Sequence, residues 1–309
     1  MVFTNHLLVG PVCVLFKFNV VFVLVFFFID RVFIEIYTQR DDKNPVSFFV
    51  SRERRIYPLY IILSIPLIFT TFPLERMLAI IGNLLLLPGL NFPNYHMAND
   101  PAWTLVYEMI FYAMFSVALI FSRKPVMVCV ITCLIIIFCL TFVEGQKRLG
   151  WVNLRYILTD KLMLNFAAGC VLAILFKYVK IRVNFILGLI IIVMLCFLAL
   201  KILTPLDRFY KYGMPAIAIV AVSLITKSGS GTLYKIFHKI GDASYSIYLS
   251  HIYIIILFKK FVEINENNWF ILYYSSFVFI CISIIFGLFV CRLIEKPLDN
   301  HLRSYKLRG

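Results

Sequence analysis

The sequence predicts an all-α protein, a polytopic bundle of transmembrane helices with about ten hydrophobic segments. Three observations lead there. The 309 residues are 62% hydrophobic and only 15% charged, where soluble domains carry about a quarter charged residues. The mean hydropathy is +0.91. The apolar residues also come in long blocks rather than amphipathic stripes: 125–143, 185–200 and 269–291 are almost free of charge. A block of about 20 apolar residues is what a bilayer core requires, and within lipid its backbone must satisfy itself as helix.

In chain order the expected segments are 7–34, 57–74, 78–91, 103–122, 125–143, 161–178, 183–201, 212–226, 243–261 and 269–291. The first runs from near Met1 through Pro11, Lys17 and Asn19 to Asp30-Arg31, with neither the basic start nor the cleavage site of a signal peptide. The last is followed by the basic stretch 292–309, expected to lie along the membrane surface as a cytoplasmic tail. No polar stretch is long enough for a soluble domain, so residues 1–309 are read as one membrane domain.

The net charge of +14 could serve nucleic acid, but the basic residues sit in short clusters between apolar blocks, as the positive-inside rule describes. The partner they imply is the lipid bilayer, not nucleic acid. Loop 38–55, the pair Arg123–Lys124, the group Lys177, Lys180 and Arg182, and the tail would all prefer the cytoplasm. Simple alternation leaves Arg123–Lys124 and Lys177–Arg182 outside. Either one segment between 57 and 122 is re-entrant and a later break is missed, or these smaller clusters yield. Eight cysteines fall within or at the edge of apolar blocks without a CxxC pair, which suggests neither a zinc site nor a redox motif.

Polar residues inside apolar segments need a reason, because a charge at membrane depth costs a few kcal/mol. Glu108 lies in AWTLVYEMIFY (102–112), with Trp103 and Tyr107 on one face and Tyr112 one turn further on. It is either a site carboxylate or a group snorkelling to water from an aromatic belt. His251 ends the hydroxyl-rich run SYSIYLSH (244–251), in which Ser244, Tyr248 and His251 share a helical face. A histidine there is either a hydrogen-bonding tie between helices or a general base. Arg52 and Arg55 are three apart on the amphipathic entry to the next helix, with Pro58 expected near its first turn. They mark the cytoplasmic side, or clamp phosphate with their guanidinium forks.

Taken together, these stretches resemble the acyltransferase-3 family of multi-pass membrane O-acyltransferases. SFFVSRERRIYPLY (47–60) resembles its Arg-x-x-Arg, Ile, Pro, Tyr run, and AWTLVYEMIFY its Trp-Ser-Leu-x-x-Glu-x-x-Phe-Tyr stretch, with Thr104 for the serine. NFAAGCVLA (165–173), GMPAIAIVAVSLI (213–225), GDASYSIYLSHI (241–252) and RLIEKPL (292–298) follow in family order. The N-terminal part, 1–45, departs from the pattern. His6 is the only candidate for the family's first-helix histidine, and the arginine before it would lie upstream of Met1. The second block survives only as 23–31, its aspartate and Ser-Gly replaced, so this part resembles a truncated or drifted copy.

The resemblance implies transfer of an acyl group, most simply acetyl, from a cytoplasmic acyl-CoA donor to a hydroxyl of a cell-envelope glycan in a bacterial inner membrane. It implies no bound cofactor and no metal. By the same resemblance His6 is the base and Glu108 a catalytic carboxylate, while Arg52 and Arg55 hold the donor phosphates. Trp103, Tyr112, Tyr245, Tyr248, His251 and Glu295 shape the site. The alternatives are a transporter or glycan flippase, for which about ten helices and buried charge are also normal, and an inactive remnant of the family. His251 gives some appeal to the other membrane-bound O-acyltransferases, whose motif order fits less well.

Overall fold

The computed structural model describes residues 44–73, 75–89, 96–145, 153–176, 178–201, 209–264 and 269–306. The expected segment 7–34, the block 23–31 and His6 lie outside the described residues. Within them the architecture is helical, with only the isolated bridges Gly89–Asn153 and Val183–Thr226 as extended pairing.

Helix α1 (Pro45–Thr71) opens on an N-cap: the Asn44 side chain accepts from the Val46 N–H at 3.0 Å, and Pro45 fills the first helical position. It begins twelve residues before the expected 57–74, carrying the Arg52–Arg55 run as helix. Pro58, expected in the first turn, is therefore an interior proline like Pro66. Charge hid this start, because the basic run interrupts the apolar block that sequence reading follows.

Helix α2 (Met77–Leu84) replaces the expected segment 78–91. Its eight residues rise about 12 Å, less than half a bilayer core. It stops in a Schellman turn: Leu87 N–H donates to Gly82 O at 2.9 Å and Leu86 N–H to Asn83 O at 3.2 Å. Leu86 holds the left-handed position (φ 50°), and its side chain is buried. The buried Asn83 amide fastens the returning chain, donating to Ala79 O and His96 O and accepting from Ala98 N–H at 2.8 Å. Tyr57 and Tyr60 of α1 donate to Leu85 O (2.6 Å) and Asn83 O (2.7 Å), so this stretch is packed against the middle of α1.

A 3-10 turn, Asp100–Ala102, leads into α3 (Trp103–Phe121). Then come α4 (Pro125–Phe142), the short α5 (Leu154–Thr159), α6 (Met163–Phe176), α7 (Phe185–Lys201) and, after a π turn at Phe209–Gly213, α8 (Met214–Ile225). Helix α9 (Thr232–Asp242), which apolar blocks did not announce, bends by 71° into α10 (Ser244–Ile264). Helix α11 (Trp269–Val290) passes through a π turn, Cys291–Glu295, into α12 (Lys296–Lys306). Of the stretch 292–309, the described residues 292–306 prolong α11 as helix, Phe277–Leu302 being continuous. Among the described residues three helices are long and apolar enough to cross a membrane, or four if α9 and α10 count as one span.

Helix α3 forms the centre: 67% of its apolar window is buried, against 22% for α4 and for Phe277–Leu302. It runs antiparallel to α1, since Phe48 packs on Tyr112 and Phe115 while Ser64 meets Asn99. Helix α10 runs parallel to α1, with Tyr245 donating to Ile56 O (2.7 Å) and Tyr253 to Leu63 O (2.5 Å). Helices α4 and α6 are antiparallel, Cys133 reaching Ala167 O and Cys129 reaching Cys170. Beyond α6, Val183 N–H donates to Ile225 O and Lys227 N–H donates to Val183 O.

These pairings bring Arg123–Lys124, Lys180, Arg182 and Lys227 to the end of the bundle where Arg52–Arg55 begin α1. The simple alternation that separated them is corrected by α2, which is too short to span. A buried asparagine and a left-handed leucine break it where the apolar composition alone promised a longer helix.

Candidate functional site

At the charged end of the bundle, α1, α3, α10 and the π turn Cys291–Glu295 converge. One face of α1 carries Arg52 and Arg55 toward α3. Arg52 is 3% exposed, its guanidinium 5.1 Å from the ring centre of Phe48 and 5.5 Å from that of Tyr112. Guanidinium faces stack on rings because the ring quadrupole attracts the cation and the weakly hydrated fork tolerates burial. Tyr112, one turn after Glu108 on α3, donates to Glu108 Oε1 at 2.5 Å. Glu108 is itself buried, within electrostatic reach of Arg55 and Arg52. The snorkelling alternative for this carboxylate is thus set aside: it points into protein, and cations stand beside it.

Arg55 also faces a second carboxylate, since Glu295 lies within its electrostatic reach. Glu295 closes the π turn, accepts from Ser246 Oγ at 2.5 Å and engages Cys291 Sγ. Single π turns recur where a helix must re-aim a functional side chain. Tyr245, next to Ser246, is buried between α1 and α10 and within electrostatic reach of both carboxylates. Arg52, Arg55, Glu108, Tyr112, Tyr245 and Glu295, far apart in sequence, thus form one constellation.

A second polar level lies at the start of α3 and further along α10. Tyr248 and Thr104 hydrogen-bond through their hydroxyls, and Tyr248 donates to Pro101 O. Thr104, which stands where the family motif has serine, keeps the hydroxyl this contact uses. His251 is buried, with Nδ1 2.5 Å from Tyr248 O. A carbonyl only accepts, so Nδ1 is the donor in this contact. Asn99, fully buried, donates to Ser64 Oγ at 3.2 Å and ties the turn before α3 to α1.

Trp103 is placed apart from this chemistry. It lies about one and a half turns from Glu108 and packs edge-on against Tyr107 at 5.4 Å. Tyr107 in turn donates to Asp160 Oδ2 at 2.8 Å, at the end of α5. Sequence reading passed over Ser246, Cys291, Phe48 and Asn99. The hydroxyl-rich run 244–251 signalled the first, whereas the others count only through helices distant in sequence.

Buried, mutually compensated charge within apolar helices defines a membrane protein built around a polar reaction or transport centre. The profile of the acyltransferase-3 family, an acyltransferase domain, matches residues 8–295. The chain belongs to that family, and the match spans both polar levels as well as the stretch before Asn44. No curated protein and no solved structure matches it significantly.

Proposed function

We propose that the protein is a multi-pass O-acyltransferase of a bacterial inner membrane, moving an acyl group, acetyl in the simplest case, from a cytoplasmic acyl-CoA to a hydroxyl of a cell-envelope glycan. The observation that carries this reading is the buried Arg52–Tyr112–Glu108 constellation, together with membership of the family. The charged end, where the basic loops gather, is the cytoplasmic side by the positive-inside rule and the side from which a phosphate-bearing donor arrives.

Arg55, half-buried at this end between two carboxylates, meets the donor first, and Arg52 supplies fixed positive charge deeper in. The acceptor hydroxyl loses its proton to a base, its oxygen attacks the thioester carbonyl, and the carbon–sulfur bond breaks. The proton then passes to the departing coenzyme A thiolate. Charge on the tetrahedral intermediate is stabilised best by cations already held in place, which is what aromatic stacking does for Arg52. His6 is the base by resemblance. His251, buried and donating from Nδ1 to Tyr248 O, is a second imidazole near the carboxylate-bearing helix α3. Glu108 offsets the arginine charge and orients Tyr112.

The test is transfer of labelled acetyl from acetyl-CoA by membranes containing this chain, against membranes lacking it. Label in the envelope-glycan fraction, dependent on the chain, is the expected result. Glycan movement across the membrane without any label transfer would favour a flippase, and silence in both assays an inactive member of the family.

A further inference from the structure

Helix α9 stands off the bundle in a way that the acyl-transfer centre does not explain. None of its residues is buried, although its sequence TLYKIFHKIGD is sharply two-faced. Leu233, Ile236, Phe237 and Ile240 fall within about 100° of helical arc, and Lys235, His238, Lys239 and Asp242 occupy the opposite side. Leu233 and Ile236 are each 49% exposed and Phe237 45%. At eleven residues it is about 16 Å long, too short to span. The 71° bend before α10 turns it across the bundle axis, at the end where Arg54, Lys124, Lys180 and Arg182 gather. Phe185, at the start of α7, meets Tyr234 edge-on at 5.3 Å and Phe237 at 6.3 Å, which anchors α9 beside Lys227.

We propose that α9 is an in-plane anchor that binds anionic phospholipid. Its stripe Leu233, Ile236, Phe237 and Ile240 sinks among acyl chains, while Lys235, Lys239 and the neighbouring Lys227 meet headgroup phosphates. An apolar arc of this width left largely exposed, with Phe237 only edging onto Phe185 and lysines confined to the other side, is the pattern of a helix lying in a membrane interface. Charge complementarity selects the anionic lipids of the basic end's leaflet. The proposal depends on residence in a bilayer and is independent of acyl transfer.

The test uses the full chain in mixed phosphatidylcholine–phosphatidylglycerol micelles, with retained lipid read by native mass spectrometry. Lys235→Gln/Lys239→Gln is compared with the charge-matched Arg123→Gln/Lys124→Gln, both checked for unchanged thermal unfolding in phosphatidylcholine. Phosphatidylglycerol affinity should fall on the order of fivefold per lysine removed from α9 and much less in the Arg123/Lys124 variant. Leu233→Ser/Ile236→Ser should weaken retention with every charge kept. Equal losses in the two charge variants would overturn the proposal in favour of a diffuse basic field, and no loss would overturn it outright. Dimerisation of the wild type that Leu233→Ser/Ile236→Ser abolishes would overturn it too, making a second copy the occupant. The readout is lipid binding, so its failure leaves the transfer assay to be judged separately.

Discussion

The Arg52 guanidinium lies over the ring of Tyr112, 5.5 Å from its centre, and the hydroxyl of the same tyrosine donates to Glu108 at 2.5 Å. One aromatic side chain thus joins a buried cation to a buried carboxylate, touching the first with its face and the second with its edge. The two helices that supply the charges are held at this spacing by Phe48, which packs on Tyr112 and Phe115.

Arg52→Lys keeps the charge but not the planar group. The ammonium cannot stack on Phe48 and Tyr112 together, and its stronger hydration resists burial. Stability should fall by about 0.5–2 kcal/mol, read as a lower thermal unfolding midpoint in detergent, and acyl transfer should fall with it. Arg55→Lys, at a half-buried position, should leave the midpoint nearly unchanged. Equal midpoints for wild type and Arg52→Lys would show that the stacking contributes nothing.

Much of this fold was legible in the sequence, and the parts that were not share a cause. The expected segments 103–122, 125–143, 183–201 and 269–291 match Trp103–Phe121, Pro125–Phe142, Phe185–Lys201 and Trp269–Val290, because charges or prolines bound each apolar block. Helix α1 was misjudged because Arg52, Glu53, Arg54 and Arg55 look like a loop until α3 offers them partners. Helix α9 was missed because its apolar residues alternate with lysines instead of running together. The site residues could be named singly, but their meeting could not be read. Arg52 beside Glu108, and Glu295 beside Ser246, depend on how α1, α3, α10 and the π turn pack.

Sidedness follows from the helix pairings. In a cysteine-free background of the full chain, Arg123→Cys, Lys180→Cys and Lys227→Cys should react with a membrane-impermeant maleimide only after the cells are permeabilised. Glu144→Cys and Lys260→Cys, exposed at the opposite ends of α4 and α10, should react in intact cells. Labelling of position 123 in intact cells would contradict the placement of all basic clusters on one side.

Gly287 of α11 lies directly against Ile247 of α10. A Cβ there would lie 2.5 Å from the backbone of Ile247 at its α-carbon, and closer still to Cγ1 of the same side chain. Small residues let membrane helices approach in this way. Gly287→Ala should therefore cost about 1–3 kcal/mol and disturb the nearby Ser246–Glu295 contact, with loss of both thermal stability and transfer. Adding Ile247→Ala should recover only part of the loss, because the clash with the backbone of residue 247 remains when its side chain is trimmed. Full recovery would mean that the side chain alone sets the spacing.

The central claim is that Glu108, held by Tyr112 beside two arginines, belongs to the acyl-transfer machinery. Glu108→Gln keeps the size of the side chain and an oxygen for the Tyr112 hydroxyl while removing the charge. The deciding measurement is labelled acetyl transfer to envelope glycan by membranes carrying equal amounts of wild-type and Glu108→Gln protein. The account predicts a loss of about a hundredfold or more with membrane insertion unchanged. Transfer by Glu108→Gln at the wild-type rate would contradict it.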